Sequence, residues 1–331
     1  MGLKAYLLKR LVYTIVLVFF VLTLNFIIFE ALPGGNGAIN NILGSGHRVS
    51  QVQIDYLYHL YGLDQPLYVR YYKYIDNMLT LQFGISLQNG HPVLQDLQQR
   101  LPATLELLGA STFLAIVIGI GLGMVSAYRR GGVLDSSSVV ASLTTFSLPT
   151  FWMGLLFIAV FGLFFQWFPT GGSAPPEWAI NGLPSNPLAV LLTKIQYAFM
   201  PVAVLTLFSY GFYVLLTRAT MIEALQEDYI STARAKGVNE RSVLVKHAFR
   251  NASLPIVTSV ALAFGSILGG AIITETVFNW PGLGLWTFRA IQFNDTPVLQ
   301  TIFYLGAVAI IIANFVADIL YGLIDPRIKY S

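Results

Sequence analysis

Six long apolar runs divide this chain, and polar segments separate them. At 1.5 Å per residue, each run is long enough for a helix to cross a hydrocarbon core of about 30 Å. The predicted spans cover 11–29, 104–127, 137–165, 199–217, 255–275 and 298–321. Pro149 is expected to break the third span. The pattern predicts an all-α polytopic membrane protein with six transmembrane helices in a single domain, 1–331.

Composition supports this class and excludes several others. The chain is 55% hydrophobic and only 11% charged, whereas a soluble domain carries about a quarter charged residues. A formal charge of +3 without a basic cluster argues against nucleic acid as a partner. With no cysteine, the chain has no disulfide, no thiolate metal site and no cysteine nucleophile.

Basic residues predict the orientation of the helices. Thirteen of the 19 lysine and arginine residues fall on one side if the N-terminus is cytoplasmic. This bias predicts a multi-pass protein of the cell membrane with both termini inside. It also places a long loop, 33–101, outside and the segment 218–254 in the cytoplasm. The apolar run after Lys9 and Arg10 is interpreted as an uncleaved first helix.

The segment 218–250 is the most polar stretch between two predicted spans. It holds ten of the chain's 35 charged residues, and their burial at mid-bilayer would cost roughly 25–35 kcal/mol. Lys236 and Gly237 favour the end of one short helix, which Asp228 is expected to begin, and Asn239 favours the start of another. A helix, a glycine corner and a second helix are therefore predicted.

Several motifs in this chain match one family of transporters. The run TARAKG covers 232–237, and KHAFRNASLP at 246–255 is similar to a RHAxRNAxLP pattern. Further matches are YGLDQPLYVRY at 61–71, RLPATLEL at 100–107, ETVFNWPGLG at 275–284 and DPRIKY at 325–330. Together these segments resemble the permease subunits of ATP-binding cassette importers, in the dipeptide/oligopeptide branch. The general importer motif begins Glu-Ala-Ala, from which Ser231–Ala233 departs in the way usual for this branch.

The resemblance implies a type I importer permease fold and a role in peptide transport. It implies a second homologous permease, two ATP-binding subunits and an extracytoplasmic solute-binding protein as partners. The chain itself would be no enzyme and hold no cofactor or metal, because ATP and Mg would bind the partner ATPases. A phosphate-binding loop is impossible here, since the pair Gly-Lys never occurs. Residues expected to couple to the ATPase are Thr232, Ala233, Arg234, Ala235, Lys236, Gly237 and Val238.

In that role Ala233 and Ala235 are interpreted as two exposed alanines that allow close approach of the partner. Arg234 and Lys236 are expected to supply polar contacts around them. No catalytic residue is assigned, and the substrate-binding residues are not identified by the sequence.

The sequence is also compatible with other functions. Within the family, oligosaccharides and nickel complexes are alternatives to peptides. A stand-alone secondary transporter is the alternative from another class, and Asp318 with Asn314 is its best candidate for a polar pair in the membrane. An intramembrane enzyme is disfavoured because none of the four histidines falls within a predicted span.

Two further patterns have a structural and a functional interpretation. Seven tyrosines between 56 and 74 suit either amphipathic helices at the lipid headgroups, which we favour, or a surface that meets a binding protein. The glycines Gly119, Gly121 and Gly123, and likewise Gly265, Gly269 and Gly270, suit either close helix packing, which we favour, or a sliding gate.

Overall fold

A computed structural model describes residues 3–32 and 64–324, with side chains for residues 8–32 and 64–319. Residues 33–63 of the predicted outer loop, with three of the seven tyrosines, and the segment DPRIKY lie outside the described residues. Apart from one isolated bridge between Ile85 and Pro92, the described residues form helices and turns.

Thirteen α-helices follow one another along the described chain. The first seven are α1 (Leu3–Phe26), α2 (Leu67–Leu79), α3 (Val93–Tyr128), α4 (Val133–Ser147), α5 (Thr150–Phe157), α6 (Glu177–Asn181) and α7 (Pro187–Leu225). The others are α8 (Asp228–Ala235), α9 (Glu240–Ser242), α10 (Phe249–Ser266), α11 (Ile272–Val277), α12 (Leu283–Gln292) and α13 (Thr296–Ile324). Three π-helical stretches extend α1 over Ile27–Ala31, extend α5 over Ile158–Phe164, and join α9 to α10 over Val243–Ala248.

Five helical segments are long and apolar enough to cross a membrane, namely Leu8–Ala31, Val93–Tyr128, Pro187–Leu225, Glu240–Gly269 and Thr296–Ile319. A sixth span arises if the bent pair Val133–Ser147 and Thr150–Phe164 counts as one crossing. This pair turns by 96° beside Pro149, whose ring cannot continue the helix of α4. The predicted break at Pro149 is thus confirmed, and the fold is all-α and polytopic.

Several helices differ from the expected boundaries; α7, for example, covers Pro187–Leu225, whereas the predicted span is 199–217. The helix α3 begins at Val93, inside the predicted outer loop 33–101, so that loop ends in helix. The predicted fifth span, 255–275, is interrupted at Gly270, which adopts φ 71°. A Cβ at Gly270 would lie 2.6 Å from the backbone nitrogen of Gly284. The chain therefore turns sharply here, because only glycine allows both the conformation and the close approach.

The crossing of α3 and α7 is built on glycines. A Cβ at Gly123 would lie 2.6 Å from Cβ of Thr217, and a Cβ at Gly119 would clash with Tyr213. The two helix backbones therefore approach more closely than larger residues would allow. Gly121 faces open space. The glycine pair 119/123 thus serves close packing, as the structural interpretation predicts.

Replacing Gly119 by leucine is expected to destabilise the subunit, because the side chain has no room between α3 and α7. Overpacking of this kind costs about 1–3 kcal/mol or more. The thermal midpoint of the purified subunit in mild detergent measures the effect. Gly121→Leu is the matched control and is expected to change it little. Equal midpoints for both variants would contradict this packing role.

A large apolar cluster forms at the end of the bundle where α3 begins. It joins Leu22 and Phe26 of α1 with Tyr74 of α2, Trp286 of α12 and Val298 of α13. On α2, Tyr71 also packs inward, and its hydroxyl shares a 2.6 Å hydrogen bond with Thr23. In contrast, Tyr68 and Tyr72 are 76% and 73% exposed. One face of α2 is therefore part of the core, and the other is free to meet lipid or a partner.

The two polar residues noted on the last span have different hydrogen-bond partners. The amide of Asn314 donates to the carbonyl of Ile310 in its own helix, at 3.1 Å. Asp318 instead forms a salt bridge of 3.1 Å with Arg10 of α1. The spacing of four residues does place Asn314 and Asp318 near each other, but each side chain has a different partner. Asp318 thus makes a contact between two helices, whereas the hydrogen bond of Asn314 stays within α13.

Candidate functional site

The short helix α8 lies just past the end of α7, at the end of the bundle opposite the cluster around Trp286. It follows α7 after the turn Gln226–Glu227. Glu227, and not Asp228, occupies the N-cap position, and its side chain makes no capping bond. Asp228 is the first helical residue, where its negative charge is favourable for the helix dipole. The negative charge of Asp228 thus lies in the first turn of α8, as expected, but the N-cap position is one residue earlier, at Glu227.

The end of α8 is a Schellman motif. The amide of Gly237 donates to the carbonyl of Arg234 at 2.9 Å, and that of Val238 donates to Ala233 at 3.2 Å. Gly237 has φ 74°, a left-handed conformation that glycine adopts without steric cost. The predicted glycine corner is confirmed. It ends α8 and turns the chain toward the next helix.

Two polar contacts hold the far side of this corner. Asn239 caps α9, and its side-chain oxygen accepts from the amide of Arg241 at 3.0 Å, as predicted. Arg234 bridges back across the corner to Glu240, with Nη2 to Oε1 at 2.6 Å. This hydrogen bond raises the pKa of the Arg234 guanidinium above its usual value. The cap of Asn239 stabilises the start of α9, and the Arg234–Glu240 contact links α9 to α8.

The inner face of α8 packs on the protein itself. Ile230 and Ala233 are 0% and 7% exposed and belong to one apolar cluster, which we call the α8 cluster. Its other buried members are Ala127 of α3, Met221 and Ala224 of α7, Val243 and Ala248 of the π-helical stretch, and Ala252 of α10. The interpretation of Ala233 as an exposed contact is therefore wrong. Its small side chain lets α8 lie close to its own bundle.

The outer face of α8 carries the remaining residues of the TARAKG run. Thr232, Arg234, Ala235, Lys236 and Gly237 are exposed, and Val238 is half-buried against the α8 cluster. Only Ala235 of the two alanines is thus available to another surface. On the exposed face, the small side chain of Ala235 lies between the charged residues Arg234 and Lys236. The opposite face of α8 is held by the α8 cluster.

An ion pair with a buried carboxylate and a partly exposed guanidinium lies directly beside the α8 cluster. The guanidinium of Arg218 on α7 donates two hydrogen bonds to the carboxylate of Asp135 on α4, the second at 2.9 Å. Ser126 and the amide of Gly131 also donate to this carboxylate. The side chain of Asp135 is only 5% exposed. Its charge is nevertheless compensated, because four donors from α3, the α3–α4 turn and α7 converge on it.

At the opposite end of the bundle, a buried carboxylate organises a hairpin of α11 and α12. Oε2 of Glu275 accepts from the amides of Gly284 at 2.8 Å and Leu285 at 3.1 Å. Oε1 accepts from the amide of Ala271 and the hydroxyl of Thr104, each at 3.2 Å. Gly282, at the N-cap of α12, has no side chain to offer, and a Cβ there would clash with Glu275. Glu275 thus caps α12 from another element.

In the sequence, Glu275 was noted only as the first residue of the segment ETVFNWPGLG, and the contact of Asp135 with Arg218 was missed altogether. These two residues are 83 positions apart, so no helical spacing signals their contact. Among residues 3–32 and 64–324, histidine, aspartate and glutamate side chains form no group of three that could hold a metal ion.

Two known protein families match this chain. Residues 119–330 match the family described as "Binding-protein-dependent transport system inner membrane component". Residues 3–108 match "Binding-prot-dependent transport system membrane comp, N-term". The two matches cover nearly the whole chain, including α8, the Asp135–Arg218 pair and the hairpin that Glu275 holds.

Individual relatives agree with these matches over almost their full length. The chain is 36% identical over 328 residues to the oligopeptide transport system permease protein AppB of Bacillus subtilis (strain 168), covering 98% of this chain and 99% of AppB. It is 36% identical over 332 residues to the di/tripeptide transport system permease protein DppB of Pseudomonas aeruginosa (strain UCBPP-PA14), covering 98% of both. It is 35% identical over 326 residues to the glutathione transport system permease protein GsiC of Escherichia coli (strain K12), covering 98% of this chain and 99% of GsiC. The chain belongs to the inner membrane components of binding-protein-dependent transport systems, as a permease of the dipeptide/oligopeptide branch of ATP-binding cassette importers.

Proposed function

We propose that this subunit forms half of the pathway of an ATP-driven importer and receives the movement of an ATPase through α8. The observation that carries this proposal is that one face of α8 is buried against the bundle and the opposite face is exposed. Its inner face is fixed on α3, α7 and α10 through the α8 cluster, whereas Ala235 and Lys236 on its outer face are exposed. A helix built in this way can transmit a push from a partner to three membrane helices at once.

The chemistry of ATP hydrolysis belongs to the partners in this proposal. The chain has no phosphate-binding loop, so ATP and Mg bind to two ATPase subunits that dock on the α8 side. A second homologous permease completes the pathway, and a solute-binding protein delivers the solute on the opposite side. Both termini and α8 are then cytoplasmic, which agrees with the excess of basic residues on that side.

Peptides are the proposed solutes. The relatives named above transport oligopeptides, di- and tripeptides and glutathione according to their names, and all of these solutes contain amide-linked amino acids. Oligosaccharides and nickel complexes are the alternatives within the family. Uptake of a labelled tripeptide by vesicles that contain the complete complex separates peptides from the other two classes.

A stand-alone secondary transporter has less support. Such a protein uses a carboxylate within the membrane as a proton or ion relay. Asp318, the best candidate in the sequence, is instead held in a salt bridge with Arg10 at the α8 end of the bundle. The salt bridge between Asp318 and Arg10 joins α13 to α1, which is a structural role.

Replacing Ala235 by tryptophan tests the docking face. We expect the subunit to fold and insert normally, because Ala235 is exposed, while the bulky ring keeps the partner away. Recovery of the ATPase on the purified subunit is expected to fall about tenfold or more, since 1.4 kcal/mol of lost contact already gives that factor.

The control is Ala179→Trp, which adds the same side chain at an exposed position on α6. This variant is expected to recover the ATPase in the same amount as the native subunit. Normal recovery with Ala235→Trp would exclude Ala235 from the docking face.

A further inference from the structure

The ion pair of the buried Asp135 and the half-buried Arg218 has more hydrogen bonds than a typical surface salt bridge. An exposed ion pair contributes little to stability, because water screens it and two long side chains must be ordered. Here Asp135 is 5% exposed and Arg218 is 28% exposed, and the carboxylate has four hydrogen-bond donors. A bidentate contact of this kind fixes distance and direction together, because a planar guanidinium matches a carboxylate in only a few orientations.

The pair adjoins the α8 cluster on both of its sides. Arg218 lies one helical turn before Met221, and Ser126 directly precedes Ala127; Met221 and Ala127 are both members of that cluster. A displacement of α8 that moves the end of α7 must therefore act on Arg218 as well. Asp135 is the point at which this movement meets α4.

The helix α4 then remains in contact with α7 as far as the break at Pro149. A Cβ at Gly211 of α7 would lie 2.7 Å from the carbonyl of Ser142, and Phe146 stacks on Phe208 with ring centroids 5.7 Å apart. Beyond Pro149 the chain bends by 96° into α5. These contacts are apolar or steric, whereas the bidentate Asp135–Arg218 contact fixes both distance and direction.

Beyond the bend, α5 reaches the hairpin at the other end of the bundle. A Cβ at Gly154 of α5 would lie 3.0 Å from Val277 and 3.2 Å from Phe278, just after Glu275. The amide of Gly172 also donates to the carbonyl of Phe278 at 2.9 Å. A continuous set of packed contacts thus runs from the α8 cluster through Asp135, α4 and α5 to the hairpin of α11 and α12.

We propose that Arg218 and Asp135 are positioning residues that make α4 follow α7 when α8 is displaced, so that ATP-driven movement reaches the bent pair α4–α5. The inference deepens the function proposed above and rests on it. Without the bidentate contact, α8 still docks and the ATPase still works, but α4 lags behind α7. The pair thus acts on transport through helix position and touches neither ATP nor solute.

Electron paramagnetic resonance distances in the complete complex test this role. The chain has no cysteine, so Ser137→Cys on α4 and Gln226→Cys after α7 give two defined labels at exposed positions. When Asp135 and Arg218 are both present, the distance between the two labels is expected to be the same in the nucleotide-free and the ATP–vanadate-trapped complex. Arg218→Lys keeps the positive charge but loses the planar guanidinium. In this variant, trapping is expected to change the distance between the two labels by about 2–5 Å.

ATPase activity and a matched variant separate this role from general damage. Arg218→Lys is expected to retain its ATPase partner and to hydrolyse ATP within about twofold of the native rate, whereas transport of labelled trialanine per ATP falls about tenfold. The matched control is Arg70→Lys at the half-buried Arg70–Glu30 salt bridge (3.2 Å) of the opposite end, which is expected to keep native distances. If Arg218→Lys destabilises the subunit, the double variant Asp135→Asn with Arg218→Gln removes both charges without leaving one buried, and it is expected to show the same shift.

The outcomes distinguish this inference from the function on which it rests. If the native subunit carries no ATPase and cannot be trapped, the proposed function fails and the inference fails with it. If the native complex is trapped and couples normally, but Arg218→Lys and the double variant keep native distances and native transport per ATP, only the positioning role is overturned.

Discussion

Gly237→Val is expected to uncouple the subunit from its ATPase while leaving it folded in the membrane. Nothing lies within 4 Å of a Cβ at this position, so valine meets no steric clash with a neighbour. Its cost comes from the backbone, because φ is 74° and a β-branched residue in that region is strained by about 1–3 kcal/mol. We expect the chain to relieve this strain by opening the corner, which displaces the end of α8 and the exposed residues there.

Co-purification of the ATPase measures the effect of Gly237→Val, and recovery is expected to fall about tenfold. Gly237→Asn is the matched control, because asparagine tolerates the left-handed conformation far better than valine. It is expected to recover most of the partner. If the valine and asparagine variants recover the ATPase equally, the angle of the corner is irrelevant to docking.

Glu275→Ala is expected to have the largest effect on stability. It removes the acceptor for the amides of Ala271, Gly284 and Leu285, and all of these lie in the buried hairpin. Orphaned buried donors cost about 1–3 kcal/mol each, so the loss is expected to reach about 3–5 kcal/mol. The thermal midpoint of the subunit in mild detergent should fall by roughly 10 °C.

Glu275→Gln separates the cap from the negative charge. The side-chain oxygen of glutamine can still accept from Gly284 and Leu285, but its amide faces the N–H of Ala271 as a second donor. Its midpoint is therefore expected to lie between those of the native protein and Glu275→Ala. ATPase recovery should remain normal in Glu275→Gln, since α8 lies at the other end of the bundle. A native midpoint for Glu275→Ala would contradict the capping role.

Local features of α8 and of the corner after it could be predicted because their causes lie within a few residues. A glycine after a short helix with lysine in its last turn signals a left-handed stop, and Asn239 followed by Glu240 signals a cap. The break at Pro149 has an equally local cause in the proline ring. In each case the physical constraint acts on the residue itself or on its immediate neighbours.

Tertiary packing set the features that could not be predicted. Ala233 and Ala235 have the same side chain and nearly the same neighbours, yet one is buried on α7 and α10 and the other is exposed. A helix of eight residues has too few apolar positions for its buried face to be assigned with certainty. The face is decided by Met221, Val243 and Ala252, which the chain brings together only on folding.

Long-range polar contacts were equally hidden in the sequence. Glu275 lies nine and ten residues before the amides of Gly284 and Leu285 that it caps, and the sharp turn at Gly270 makes the approach possible. Asp135 and Arg218 look like ordinary charges at the ends of two spans. Only the packing of α4 on α7 reveals that they form one buried site.

Purification of the subunit from its native membrane in mild detergent, with identification of the chains that accompany it, tests the central proposal most directly. The importer function predicts an ATPase with a phosphate-binding loop and a second permease with about six spans, and it predicts loss of that ATPase in Ala235→Trp. Recovery of the subunit alone, together with uptake into vesicles driven by a proton or sodium gradient and not by ATP, would contradict it.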